Sequence, residues 1–405
     1  MRKGSYNGAN NDSMYYSYNG LSHYSSNEKK FVSEYLSRIG FHYNGFWENY
    51  GSGSTLSMNS FLGVKYILTS SYDLYSSLNN TSKNTFVNFI EYKPNYFDEN
   101  TKVYENPYAL PFLMVVNSNS GFVSEGTRLE DNKTHWFDHF EYQNQIFKTM
   151  VNIKDENGNQ KDIFKKADYT INTNIKYREN ENGKIYEVLN VGDTITFTVK
   201  TDTDNPYYYG FRNINNYLDS FSNKMQLYIN NNYTYHFSYY NSGINGLPLK
   251  NSNQTIKLRV NEKMTNRSII EEFYYEDLSI LKEYIETIKT QNVKEEKISS
   301  NKFTYKVNVL KDNQQLLFTL PYEDNFVIKV DGKEVKSKKS YHIFLGADIS
   351  KGLHTIEIEY VDKGLKIGSI ISAFSLITSS LYIIYYDLIN LNINKLLKIK
   401  KEETK

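Results

Sequence analysis

The stretch at 192–203, "GDTITFTVKTDT", decides the fold class because its side chains alternate strictly in polarity. Ile195, Phe197 and Val199 would lie on one face of an extended chain, and threonines would occupy the opposite face. This period of two predicts a β-strand with one buried side and one face toward solvent.

Further alternating segments lie on both sides of this stretch, separated by turns rich in Asn, Gly and Asp; they occupy 225–240, 253–263, 326–337 and 352–362. The first reads as two strands across an Asn-rich turn. In the third, Asp331-Gly332 between alternating residues is a strong hairpin signal. In the last, His354, Ile356, Ile358 and Tyr360 share a face. The chain is therefore predicted to be mainly β with some α, built of antiparallel β-sandwich domains.

Two segments carry helical signals. Residues 27–41 offer Asn27 as an N-cap, apolar residues at helical spacing, and Gly40 as a stop. Apolar residues between 268 and 290 recur at spacings of three and four, which predicts a second helix. Between them, 59–71 is expected to end in a short apolar strand at 64–68.

A membrane helix is predicted at "IGSIISAFSLITSSLYIIYY", residues 367–386, which carry no charge. A helix of this length reaches about 30 Å, the thickness of the hydrocarbon core of a bilayer. Lys395, Lys398, Lys400 and Lys401 follow closely, so the positive-inside rule places the tail in the cytoplasm and residues 1–365 outside. The alternative is a buried core helix.

The N-terminus has a charged start but no apolar run typical of a signal peptide. An outside domain of this size needs a route across the membrane. We therefore expect the chain to be the C-terminal part of a longer polytopic membrane protein, in preference to a complete tail-anchored protein.

These patterns divide the chain into six segments. We expect a mixed α/β segment at 1–86, a β-sandwich domain at 87–266, a connecting helix region at 267–295, a second β-rich domain at 296–365, a transmembrane helix at 366–387 and a basic cytoplasmic tail at 388–405.

The composition narrows the classes of function. With 47 Lys+Arg against 46 Asp+Glu, the net charge is +1, so no global field favours nucleic acid. Cysteine is absent, which excludes disulfides, thiolate metal sites and thiol nucleophiles. The 38 tyrosines suit wet surfaces and sugar recognition, but a general compositional bias toward Tyr, Asn and Lys is the better explanation. Phosphate-loop, dinucleotide and nucleophile-elbow motifs are absent from the sequence.

The metal candidate is "HWFDHFE" at 135–141, where His135 and His139 would share a helix face with Asp138 adjacent. The segment differs from the HExxH arrangement, and no third ligand can be identified for it. We therefore expect these histidines to be packing residues that bind no metal. The acid pairs Glu271-Glu272 and Glu295-Glu296 read as solvated faces.

The stretch "VYENPYALP" at 103–111 predicts a strand end, a proline-framed turn and entry into another strand at "FLMVV". Glu105, Asn106 and Pro107 read as a structural turn. The alternative is that Tyr104, Glu105 and Asn106 line a groove for an acceptor molecule.

Six segments are informative when they are taken together and in order: "SYNGLSHYSS" (17–26), "FLGVKYIL" (61–68), "VYENPYALP" (103–111), "FDHFEYQNQIFKTM" (137–150), "LLFTLPYEDNFVIKVDGKEV" (316–335) and "KGLHTIEIEYVDKGLKIGSIIS" (351–372). In this order they resemble the bacterial YfhO family of polytopic membrane proteins. The family often has Gly-Trp where this chain has Asn325-Phe326, which puts any Trp-specific role in doubt.

The resemblance implies a membrane glycosyltransferase that takes sugar from a polyprenyl-phosphate donor and modifies teichoic acid or another envelope polymer. Its catalytic acid would lie in an early loop, so no catalytic residue transfers to this chain, and no cofactor is implied. This region would bind the acceptor or act as a scaffold, with the lipid bilayer as its partner and no nucleic acid. The alternative is a non-catalytic, membrane-anchored carbohydrate-binding or envelope scaffold protein.

Overall fold

The fold was examined in a computed structural model of the 405-residue chain. It describes residues 2–5, 19–20, 23–24, 30–41, 47–48, 54–70, 93–97, 101–118, 139–180, 183–212, 224–236, 244–247, 253–291, 293–298 and 302–402. Within these ranges the protein is mainly β with several antiparallel sheets, as the sequence predicts.

The middle sandwich packs two sheets face to face over an apolar core. One sheet contains, in spatial order, β10 (Tyr169–Asn172), β13 (Thr194–Val199), β18 (Gln254–Val260), β15 (Met225–Ile229) and β16 (Asn232–His236). The other contains β11 (Tyr177–Asn180), β12 (Gly183–Leu189), β19 (Met264–Glu276), β14 (Tyr207–Arg212) and β17 (Asn245–Gly246), with β9 (Phe164–Lys166) also paired to β19. Ile195, Phe197 and Val199 are fully buried between the sheets, so the alternation read from the sequence is confirmed.

The C-terminal sandwich is built in the same way. Its first sheet contains, in spatial order, β20 (Lys294–Ile298), β21 (Lys302–Val309), β27 (Gly352–Tyr360), β23 (Phe326–Val330) and β24 (Lys333–Val335). Its second sheet contains, in spatial order, β25 (Ser337–Ser340), β26 (Phe344–Ile349), β22 (Gln314–Pro321) and β8 (Leu113–Asn117). The predicted hairpin is present, because Asp331 and Gly332 both adopt positive φ, at 50° and 78°, between β23 and β24.

A helical core lies between the sandwiches and an N-terminal sheet. The helices are α1 (Lys30–Arg38), α2 (Leu56–Phe61), α3 (His139–Met150) and α4 (Leu278–Lys289). The N-terminal sheet contains, in spatial order, β2 (Asn19–Gly20), β1 (Arg2–Ser5), β5 (Val64–Ser70), β7 (Thr101–Glu105) and β6 (Lys93–Phe97). Separately, β3 (His23–Tyr24) pairs with β4 (Trp47–Glu48). One buried cluster joins these helices to both sandwiches, since it includes Tyr208 and Tyr274 from the middle sandwich and Phe344 from the C-terminal one.

The helix predicted over 268–290 is wrong in its first half. Strand β19 runs to Glu276, and α4 begins only at Leu278, after the N-cap Asp277. The long strand is stabilised by pairing with β12 and β14 on both sides. Its aromatic and β-branched residues fit a pleated surface, so tertiary pairing overrides the helical spacing.

Four of the described elements in the 87–266 stretch lie outside its predicted sandwich. Strands β6 and β7 pair with each other in the N-terminal sheet. The helix α3 packs into the helical core through Phe140, Ile146 and Phe147. Strand β8 is an edge strand of the C-terminal sandwich, where it pairs with β22. The antiparallel partner of β8 is therefore about 200 residues away in sequence.

The C-terminal helix α5 (Lys363–Glu402) follows β27 without a flexible linker. Asp362 caps it, since Leu365 N donates to Asp362 Oδ1 at 2.9 Å, and Lys363 Nζ donates to the carbonyl of Asp324. Within Lys363–Leu397, the most apolar window of 18 residues has a mean hydropathy of 1.8, and none of that window is buried by the rest of the protein. This helix is long and apolar enough to cross a membrane, which supports the predicted span and disfavours a buried core helix.

Candidate functional site

The proline-framed loop, residues 106–111, follows β7 as predicted and leads into β8. Asn106 is the residue that fixes it. Its backbone N–H donates to Lys65 O at 2.7 Å, and its side-chain amide donates to Val64 O at 3.1 Å. Its Oδ1 accepts from Tyr108 N at 2.9 Å, which forms an Asx turn. Asn106 is 1% exposed, so its side chain stabilises the loop through buried hydrogen bonds.

The loop is also fastened to the end of α2. Leu110 N donates to Ser60 O at 2.9 Å, and the Asn106 amide lies 3.3 Å from Ser60 Oγ. The chain turns beside it at Gly63, whose φ is +69° and where a Cβ would lie only 3.0 Å from Leu110 O. Glycine is therefore required there both for conformation and for space.

Glu105 and Tyr104 are the two predicted groove residues that reach solvent. The Glu105 carboxylate lies 3.6 Å from Lys65 Nζ, and both side chains are partly exposed. Tyr104 packs against the helical core with part of its ring, and this burial raises the pKa of its hydroxyl. The structure thus separates the three predicted residues into one buried turn former and two neighbours at the surface.

Lysines that the sequence analysis did not single out surround this loop. Lys289 Nζ donates to Pro107 O at 3.4 Å, and Lys282 Nζ lies 5.6 Å from the centre of the Tyr108 ring. Desolvation lowers the pKa of Lys289, and the nearby charge of Lys65 lowers it further, against an opposing effect of Glu286. Lys65, Lys282 and Lys289 are called the lysine rim below. Two of them are seven residues apart on α4, and that spacing was the available signal in the sequence.

A buried polar network supports the site from below. The Glu276 carboxylate, fully buried, accepts hydrogen bonds from Ser57 N at 2.6 Å, from Leu56 N at 3.3 Å and from the Tyr208 hydroxyl at 2.7 Å. Desolvation raises the pKa of Glu276 to about 7, although these donors lower it. Glu276 therefore joins the start of α2 to the middle sandwich.

The same network continues through α3. Thr55 Oγ1 donates to Gln143 Oε1 at 2.8 Å, and Gln143 Nε2 donates to Ile39 O at 2.7 Å. All of these groups are buried. The elements that carry the loop are thus held together by hydrogen bonds as well as by apolar packing.

Of the predicted metal candidates, residues 135–138 lie outside the described part of the chain, and only His139 can be placed. Its Nδ1 lies 2.9 Å from Glu272 Oε2, and both side chains are buried. Within the described residues, three or more potential metal ligands are nowhere grouped closely enough to hold an ion. That the 135–141 segment binds no metal stays a prediction.

The acid pair Glu271-Glu272 is not a solvated face, contrary to the prediction. Glu272 pairs with His139, and Glu271 pairs with Lys184, each in a largely buried setting. Both carboxylates lie on the part of β19 that pairs with β14, and a Cβ on Gly210 would lie 2.7 Å from Glu272 Oε2. Glu295 and Glu296 are exposed, as expected.

The family model described as "Bacterial membrane protein YfhO" matches residues 3–372. "Uncharacterized protein YfhO" from Bacillus subtilis (strain 168) is 27% identical over 389 residues, which are 92% of this chain and 42% of that protein. The chain thus spans about two fifths of the length of this relative.

A solved structure from Pseudomonas aeruginosa PAO1, described as a conserved protein of unknown function, is similar over 48% of this chain and 94% of its own. Its sequence identity is 9% and its TM-score is 0.14, so this similarity carries no argument. The family model, by contrast, covers nearly the whole chain. The protein belongs to the YfhO family of bacterial membrane proteins.

Proposed function

We propose that this chain is the C-terminal part of a polytopic membrane glycosyltransferase that moves sugar from a polyprenyl-phosphate carrier onto teichoic acid or another envelope polymer. In this proposal the β-rich body holds and orients the acceptor polymer. The observation that carries the proposal is the family match over residues 3–372, joined to a body that continues without a linker into a helix able to cross a membrane.

The proposed orientation places residues 1–365 outside the cell and the tail at 388–405 in the cytoplasm. It rests on the lysines at 395, 398, 400 and 401, which follow the uncharged span. The cap at Asp362 would then hold the C-terminal sandwich close to the outer membrane surface, within reach of a lipid-linked donor.

The acceptor contact is proposed at the proline-framed loop. Tyr104 and Glu105 are reachable there, Asn106 keeps the loop rigid, and the lysine rim would attract a polyanion. Sugar transfer also needs a general base and stabilisation of the leaving phosphate. We assign those roles to other parts of the longer protein, and we propose no catalytic residue, metal or cofactor in this chain.

Complementation tests this proposal in a strain that lacks its full-length relative. The chain alone and the chain fused behind the membrane helices of the relative would be expressed separately, and glycosylation of the envelope polymer measured. We expect the fusion to restore glycosylation and the chain alone to fail. Restoration by the chain alone would place catalysis within it, and failure of a membrane-inserted fusion would favour the non-catalytic scaffold.

The lysine rim supplies a matched pair of variants in that fusion. Lys65→Gln with Lys289→Gln should reduce glycosylation several-fold, because two cations that face the acceptor are removed. Lys257→Gln with Lys200→Gln removes the same charge from the surface of the middle sandwich and should leave glycosylation unchanged. Equal effects of the two pairs would contradict an acceptor contact at the loop.

A further inference from the structure

A polar groove on the middle sandwich lies apart from the proline-framed loop. One wall is the connection from β10 to β11, and the other runs from the end of β12 into β13. β10 and β11 are edge strands of the two facing sheets, so the groove follows the open side of the sandwich. Its volume is about 550 Å³, within the range of roughly 300–1,000 Å³ that is usual for small-molecule sites.

The walls of the groove are fixed by hydrogen bonds. Thr173 Oγ1 accepts from Ile175 N at 3.2 Å and donates to Thr194 O at 3.1 Å, which links one wall to the other. Asp193 Oδ2 accepts from Asn190 N at 2.7 Å and closes the β12–β13 turn. A ligand would therefore meet a preformed surface and would not have to order it.

Several polar side chains that line the groove have no protein partner. In the part of the chain that the structure describes, the side chains of Asn172, Asn174, Lys176 and Glu187 form neither a hydrogen bond nor an ion pair. The amides provide donors and acceptors side by side, and the carboxylate adds further acceptors. This combination matches the hydroxyl groups of a sugar, each of which can donate and accept.

The charge and the apolar content of the groove limit the ligand class further. Lys176 is the only cation among its lining residues, against the carboxylates of Glu187 and Asp193, so a phosphate chain would be repelled or at best tolerated. Among the lining side chains only Ile175 and Val188 are sizeable hydrophobic groups, which is little for anchoring a peptide. Tyr177 follows Lys176 in sequence and is not a lining residue; its ring packs against Tyr186 at 5.4 Å and is otherwise 41% exposed.

We propose that this groove binds an uncharged carbohydrate chain, held by Asn172, Asn174 and Glu187. The inference rests on the proposed acceptor-holding role and makes it specific. The loop with its lysine rim would meet anionic portions of the envelope polymer, and the groove would hold neutral sugar residues.

Binding by the purified full chain in nanodiscs tests the inference. The probes are maltotetraose, chitotetraose, a linear galactotetraose and a glycerol-phosphate oligomer, each titrated by calorimetry and by saturation-transfer NMR. We expect saturable binding of at least one neutral tetrasaccharide. The double variant Asn172→Ala with Asn174→Ala should weaken that binding at least about tenfold, while unfolding temperature stays close to that of the unaltered chain.

The matched control is Asn157→Ala with Asn159→Ala, on an exposed loop of another part of the protein, and it should bind as the unaltered chain does. Binding of none of the tetrasaccharides, equal loss in both double variants, or groove-dependent binding of the glycerol-phosphate oligomer alone would each overturn the inference. The complementation assay is read separately. If no sugar binds but glycosylation is restored, only the proposed groove is refuted. If sugar binds but glycosylation is not restored, only the proposed transferase role is refuted.

Discussion

At the residue scale, the ionisation of Glu276 bears directly on folding. Its pKa is raised to about 7 by burial, whereas in the unfolded chain it would titrate near the ordinary value of 4.5. The folded state then holds the proton more tightly, so this group favours folding below about pH 4.5, and that contribution is lost as pH rises to about 7. At 1.36 kcal/mol per pKa unit, the effect is on the order of 3 kcal/mol.

Glu276→Gln should flatten this pH dependence. Chemical denaturation of the full chain between pH 4.5 and 8 would give the free energy of unfolding for both proteins. The unaltered protein should lose more stability with rising pH than the variant does. Parallel profiles would show that Glu276 does not titrate in this window.

Asn106 is predicted to matter for stability because its side chain makes the proline-framed loop. Asn106→Ala would leave Val64 O and Tyr108 N without their partner in a buried setting. We expect a loss of about 1–3 kcal/mol in the free energy of unfolding. Asn157→Ala, at an exposed position, is the control, and an equal effect of the two substitutions would rule out the structural role.

Residue-level prediction from the sequence succeeded where chemistry acts locally. Two prolines and an asparagine defined the turn at 106–111, and Asp331-Gly332 defined the hairpin, because φ preferences need no distant partner. It failed at Glu271-Glu272, since the partners Lys184 and His139 are about 90 and 130 residues away in sequence. Adjacent acidic residues are predicted to be exposed to solvent as long as the residues that face them in the fold are unknown.

At the element scale, the boundary between β19 and α4 is set by Asp277. Its Oδ1 accepts from Ser279 N at 3.1 Å and from Ile280 N at 3.3 Å, and Lys165 Nζ pairs with its other oxygen at 2.7 Å. The apolar spacing of 268–290 could not reveal this boundary. Ile270, Phe273 and Tyr274 fit a strand flanked by two partners as well as they fit a helix.

Asp277→Ala is therefore predicted to destabilise the start of α4. The loss of the cap should cost about 0.5–2 kcal/mol in the free energy of unfolding. Amide hydrogen exchange should increase in residues 278–282 and remain unchanged in α3. Uniform exchange throughout the helical core, or none beyond the unaltered protein, would contradict a local capping role. Asp277→Asn, which keeps an acceptor, should recover most of the loss.

At the scale of the whole molecule, the two sandwiches and the helical core form a connected body that ends in α5. The strand alternation and the uncharged span made the β-rich class and the candidate membrane helix predictable. The assembly was not predictable, because β8 pairs across about 200 residues and Tyr35 packs edge-to-face on Phe344. Such contacts depend on how separate layers pack against each other, and local sequence patterns do not contain that information. The lysine rim is a product of that assembly, because Lys65 lies on β5 whereas Lys282 and Lys289 lie on α4.

The β-rich body is proposed to face outward while α5 crosses the membrane, and the absence of cysteine from the chain makes this orientation directly measurable. Single cysteines would be introduced as Asn157→Cys in the body and Thr404→Cys in the tail of the fusion described above, with any cysteine in its added membrane helices replaced. Intact protoplasts would then be treated with a membrane-impermeant maleimide. We expect labelling at position 157 without permeabilisation and labelling at position 404 only after it. Labelling of position 404 in intact protoplasts with protection of position 157 would show the opposite orientation.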